Sequence, residues 1–126
     1  MTFVFDSGAL IALDHNDREM WRRLKSALLA GEIPITHGGV VGQAWRGPGP
    51  RSALLAKALA GIDVRPLDED LGKRAGELLS RAKKSDVIDA ALVLLASDGD
   101  TILTSDAGDI ETLARAGARL VDLIEA

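Results

Sequence analysis

The chain has 126 residues, of which 47% are hydrophobic and 27% charged, with a net charge of −4 and no cysteine. That size and apolar content suit one domain with a substantial core. The acidic balance excludes a generally basic nucleic-acid binder, the missing thiols exclude disulfides and thiolate metal sites, and no apolar run reaches membrane-spanning length. A cytoplasmic protein without a membrane segment is therefore expected.

Phe3 to Phe5 is short, apolar and β-prone, and reads as a buried strand. Ser7 to Leu13 follows as a short helix. Trp21, Leu24, Ala27 and Leu28 share helical spacing and mark a second helix ending near Gly31. Ile33-Pro34-Ile35 reads as a second strand, its proline suiting an edge or a strand start. Val40 to Trp45 looks helical, and Gly47-Pro48-Gly49-Pro50 breaks it. Ser52 to Ala60 is the next helix, closed by Gly61, and Ile62 to Arg65 the next strand, ended by Pro66. Leu71, Ala75, Leu78, Leu79 and Ala82 lie on one helical face. Val87 to Ala96 is apolar nearly all round, which predicts a centrally buried helix. Ile102-Leu103 is a strand, Ile110 to Ala116 a helix stopped by Gly117, and Leu120 to Leu123 a last strand. This alternation predicts an α/β fold, a three-layer α/β/α sandwich with a central, mostly parallel sheet of four to five strands.

Acidic residues recur at the turns. Asp6 closes the run Thr2–Phe5, Asp106 closes Thr101–Thr104, and Asp86 and Asp89 open the Val87 helix. In an open parallel sheet, ligands bind outside the carboxyl ends of the strands. Helices that return antiparallel are expected to begin at that edge, so all four carboxylates are expected there. Asp86 and Asp89, three residues apart, share a helical face, and Asp109 adds a fifth acid three residues beyond Asp106. Singly, each reads as an N-cap or a first-turn acid. Jointly they point to chemistry, because a hydroxyl would cap as well and Ser7, Ser85 and Ser105 stand beside three of them. Clustered carboxylates suit a hard divalent cation.

Other chemistries fit less well. Ser7, Thr104 and Ser105 have no histidine in a recognisable relation to them, so a hydrolase triad is not indicated. His15 and His37 are too few for a histidine-based zinc site without carboxylates. The Gly38-Gly39 and Gly47-Pro48-Gly49 segments lack phosphate-loop spacing. A phosphoacceptor receiver domain shares the length and alternation, but Asp6 stands without a paired acid and no lysine follows the late strand.

Three segments carry a family resemblance that extends over nearly the whole chain. Phe5-Asp6-Ser7-Gly8-Ala9-Leu10-Ile11-Ala12-Leu13 resembles the opening motif of PIN domains, in particular VapC-type toxins of toxin–antitoxin pairs. Ser85-Asp86-Val87-Ile88-Asp89-Ala90-Ala91-Leu92 is similar to the family's third acidic motif, with Asp89 in its metal-binding position. Thr104-Ser105-Asp106-Ala107-Gly108-Asp109-Ile110 is similar to its late T-x-D-x-x-D motif. One departure stands out: the family usually has a glutamate on the helix after the second strand, and the matching residue here is Gln43. Gln43 can ligate a cation through its carbonyl but carries no charge. Either Asp86 supplies the missing charge, or the chain is a weak or inactive PIN-fold binding module.

The resemblance implies a PIN-like fold and a ribonuclease dependent on Mg²⁺ or Mn²⁺, with Asp6, Asp89 and Asp106 as direct or water-mediated ligands and as the catalytic set. Asp86, Asp109, Gln43 and Ser7 are secondary candidates. For the RNA substrate, Arg81, Lys83 and Lys84 immediately precede Ser85 and are the expected phosphate contacts. Trp21 and Trp45 sit on apolar helical faces and are expected to pack. The resemblance also implies a homodimer and a cognate VapB-type antitoxin. The Met20–Leu29 and Ser52–Leu59 helices are expected either to offer apolar surface to such a peptide or to pack inside the monomer.

Overall fold

Five short strands, each three or four residues long, form the centre of the molecule: β1 Phe3–Phe5, β2 Ile35–His37, β3 Asp63–Arg65, β4 Thr101–Thr104 and β5 Asp122–Glu125. The computed structural model describes all residues, Met1–Ala126. The sheet order is β3-β2-β1-β4-β5, and every neighbouring pair is parallel. Seven α-helices connect the strands: α1 Ser7–Asp14, α2 Arg18–Leu29, α3 Gly38–Ala44, α4 Ala53–Leu59, α5 Glu69–Ala82, α6 Val87–Leu95 and α7 Ala107–Ala116. A 3-10 turn at Gly49–Ser52 leads into α4.

The strand order has a physical consequence. From β1 the chain moves outward through β2 to β3 on one side, then returns to place β4 and β5 on the other. Parallel crossovers share one hand, so opposite directions of travel put the connecting helices on opposite faces. The contacts agree: α1 packs with α2, α3 and α4, whereas α5, α6 and α7 pack with one another. The result is the expected three-layer α/β/α sandwich. The direction reverses between β1 and β4, which makes the crevice outside their carboxyl ends the topological switch point.

One continuous core joins the layers. Val4, Phe5, Ile102 and Leu103 from the central strands meet Leu10 and Leu13 of α1 and Ala90 to Val93 of α6, all fully buried. The apolar α6 lies in the core, as its composition predicts. Leu71, Ala75 and Leu78 form the buried stripe of α5 at helical spacing.

Several boundaries differ from the expectation. The second strand begins at Ile35, not Ile33, and it lies inside the sheet between β1 and β3. Pro34 stands just before it, where its carbonyl accepts from Asp63 N–H at 2.8 Å and its missing donor costs no ladder bond. The last strand runs over Asp122–Glu125 rather than Leu120–Leu123, and Leu120 is 75% exposed. Not every helix starts at the carboxyl edge. The first turn of α4 meets the end of α1, where Leu55 N–H donates to the Asp14 carboxylate at 3.1 Å.

Candidate functional site

β1 and β4 run side by side with Phe5 opposite Leu103, so the residues that follow them emerge together. Asp6 N–H still donates to Leu103 C=O at 3.1 Å, extending the ladder by one bond. The Asp6 side chain is 4% exposed and bridges the two strand ends. Its Oδ1 accepts from Ala9 N–H at 3.0 Å, capping α1. Its Oδ2 accepts from Ser105 N–H at 2.9 Å, on the turn after β4. Asp6 is thus both a cap and a tertiary link. The turn can come this close only because residue 8 is glycine: a Cβ there would overlap the Ser105 side chain.

Asp106 occupies the N-cap position of α7 but makes no capping hydrogen bond, and its side chain is exposed. Its backbone N–H donates instead to Thr104 Oγ1 at 2.9 Å. Asp86 behaves in the opposite way. It caps α6, accepting from Ile88 N–H at 2.9 Å and from Asp89 N–H at 3.1 Å. For Asp86 the capping role is realised in full.

Asp89, half-buried in the first turn of α6, has no cation in any ion pair. Burial pushes its carboxyl up to about 7, and the charges of Asp86, Asp106, Asp6 and Asp109 push the same way. Asp89 thus lies in the field of acids from three separate turns. Asp109 lies in the first turn of α7 and is paired with Lys84 at 2.8 Å. The lysine holds the Asp109 carboxyl below its ordinary value, and Asp109 raises Lys84 in return. Lys84, Ser85, Asp86, Asp89, Asp109 and Leu113 line a small pocket of about 70 Å³.

The remaining expected residues are more dispersed. Ser7 is the first residue of α1, half-buried beside the Asp6 cap. Gln43 is exposed on α3. Arg81 is exposed in the last turn of α5, and Lys83 ends that helix in the left-handed conformation at φ 56°. His37 is a structural residue. It is fully buried, Gly39 N–H donates to its Nδ1 at 3.1 Å, and its Nε2 lies 2.9 Å from Ile88 C=O. Because Nδ1 must accept, the proton sits on Nε2 and donates to Ile88, tying β2 to the start of α6. Burial lowers the His37 pKa.

Two supports of the site are invisible to motif reading alone. Thr104 and Ser105, weighed in the sequence as hydroxyl groups, act here through Thr104 Oγ1 on the Asp106 amide and through the Ser105 amide on Asp6. The Lys84–Asp109 pair joins residues 25 apart and removes one expected phosphate contact from the free cations.

The carboxylate donors suit a hard divalent ion by chemistry and by mutual repulsion. As they stand, no three of them form a group ready to hold one ion. Asp6 is held by backbone donors, Asp86 by its cap and Asp109 by Lys84, whereas no backbone amide or lysine holds the carboxylates of Asp89 and Asp106. Comparison with known proteins finds no matching family model and no matching curated protein.

Proposed function

We propose that this chain is a metal-dependent endoribonuclease of the PIN type, the toxin partner of a toxin–antitoxin pair. The observation that supports the reading is that Asp6 and Asp106 follow the neighbouring strands β1 and β4 at the switch point, and that Asp89 at the start of α6 is raised by the charges of Asp86, Asp106, Asp6 and Asp109. The resemblance of the three acidic segments to PIN motifs supplies the reaction class. Asp6, Asp89 and Asp106 would hold Mg²⁺ or Mn²⁺, partly through water, as Mg²⁺ with its retained hydration permits. The bound ion would supply charge neutralisation on the phosphoryl oxygens and an activated water. Asp6 contributes a fixed carboxylate, clamped by two backbone donors. Asp89 must surrender the proton it holds near neutrality before it can bind a cation. The RNA substrate, a VapB-type antitoxin and a homodimer belong to the same reading.

The test is RNA cleavage with added Mg²⁺ or Mn²⁺ by the parent chain and by Asp6→Asn, Asp89→Asn and Asp106→Asn. Each variant is expected to lose roughly a hundredfold or more in rate, since a catalytic ion contributes several kcal/mol. Undiminished cleavage by Asp6→Asn and Asp89→Asn would end the assignment.

A second reading has its own support. Gln43 brings no charge, and the carboxylates are not gathered around one point. A PIN-fold binding module without catalysis predicts no cleavage by the parent chain at any divalent concentration.

A further inference from the structure

Of the two expectations for α2 and α4, packing inside the monomer holds for Met20, Leu24 and Ala27 of α2 and Leu55 and Ala58 of α4, which are buried, while Leu28 and Leu29 at the end of α2 are exposed. What the two helices present between them is cationic. A cleft of about 360 Å³ is walled by Arg18, Arg22, Lys25 and Lys57, with Trp21 and Leu54 in its lining and no acid among the lining residues. All four cations are exposed, and the chain's six ion pairs are made by other residues. In a chain of net charge −4 this is a marked concentration. The fold does not ask for it. Arg18, Arg22 and Lys25 stand at spacings of four and three on α2, and like charges at such spacings destabilise a helix.

We propose that this cleft binds the phosphate backbone of single-stranded RNA and is a docking site separate from the acidic edge. The inference rests on the ribonuclease reading for its ligand class. An acidic edge repels a polyanion, and of the three cations expected to contact phosphate there Lys84 is paired with Asp109, so the four unpaired cations of the cleft offer attraction that the edge lacks. The cleft lies beyond the far end of α1, next to Asn16, whereas Asp6 caps the near end. Eight residues of helix separate the two by about 12 Å. A strand of a few nucleotides could span both. Trp21 is already used by the fold, its Nε1–H donating to Leu13 C=O at 2.9 Å and Lys57 lying 5.8 Å over its ring. The cleft therefore reads backbone charge rather than base identity, and sequence preference is expected to be weak.

The experiment measures binding of a short fluorescein-labelled single-stranded RNA of mixed sequence, without divalent ions, over a range of salt concentrations. It compares the parent chain, Asp89→Asn, and a fourfold variant carrying R18Q, R22Q, K25Q and K57Q. The expected result is weaker binding by the fourfold variant, with the salt slope shallower by about 0.7 for each contact removed. Asp89→Asn should bind as the parent does or more tightly. Photo-crosslinking of thiouridine-substituted RNA to the parent chain gives a second readout, expected in peptides carrying Arg22 or Lys57. Equal binding and slope in the fourfold variant would overturn the proposal. So would crosslinks confined to the acidic edge, or a polyglutamate peptide that occupies the cleft in preference to RNA. Because no cleavage is measured, failure here leaves the nuclease reading intact, and an inactive Asp89→Asn enzyme leaves this one intact.

Discussion

Asp89 is the residue whose environment departs most from what its neighbours in sequence provide. Its carboxyl is raised from 3.8 to about 7, first by burial and then by four other acids. Between those two values the folded chain holds a proton that the unfolded chain has lost, so stability falls as pH rises through that window. Asp89→Asn removes the penalty. Without divalent ions, the variant should melt above the parent at pH beyond about 7, and the gap should close as pH falls toward 3.8. A gap that is constant with pH, followed by circular dichroism, would refute this account. His37 works with the opposite sign: its lowered pKa gives stability that is present above 6.5 and lost as the solution turns acidic. The identity of the acids was legible in the sequence because each stands at a turn. Their individual states were not. The Asp86 cap rests on amides two and three residues away, but that Asp109 is taken up by Lys84 and Asp6 by the Ser105 amide depends on partners 25 and 99 residues away.

At the scale of elements, most boundaries follow from local chemistry. Asp17 and Asp68 cap α2 and α5, accepting from Met20 N–H and Leu71 N–H at 2.9 Å. Helices α3 and α7 begin two and three residues before the expected Val40 and Ile110, and strands β2 and β5 begin two residues after the expected Ile33 and Leu120. A strand's register is set by its backbone partners, and neighbouring apolar residues outside the paired stretch look the same in sequence. Asp122 N–H donates to Asp100 C=O at 3.0 Å, and that pairing moves β5 two residues past the apolar Leu120. The end of α5 offers a test. Lys83 takes a left-handed conformation that suits glycine, with Lys84 N–H donating to Leu79 C=O at 3.1 Å. Lys83→Gly should stabilise the chain by about 1 kcal/mol and raise Tm by about 3 °C. An unchanged or lower Tm would show that Lys83 makes favourable contacts that outweigh its backbone cost.

Across the whole molecule, charge is divided between two regions. The carboxyl edge gathers Asp6, Asp86, Asp89, Asp106 and Asp109, while the cleft between α2 and α4 gathers four unpaired cations. Relief of the acidic repulsion by a bound ion would be felt as global stability. If the proposed site binds Mg²⁺ or Mn²⁺, the ion at about a hundred times its dissociation constant should stabilise the parent by about 2.7 kcal/mol. The Asp6→Asn, Asp89→Asn double variant should show no such rise in a thermal-shift titration, and an equal rise in both chains would separate the ion from these acids. The sequence by itself determined the alternation of strands and helices, the buried character of α6 and the acids at each turn, because periodicity and capping act over a few residues. Only the tertiary structure decided that β1 and β4 are neighbours, that the switch point falls between them, which carboxylates remain free and that α2 and α4 turn their cations toward a common cleft. Those outcomes arise from pairing and packing between remote segments, whose free energies no local window contains.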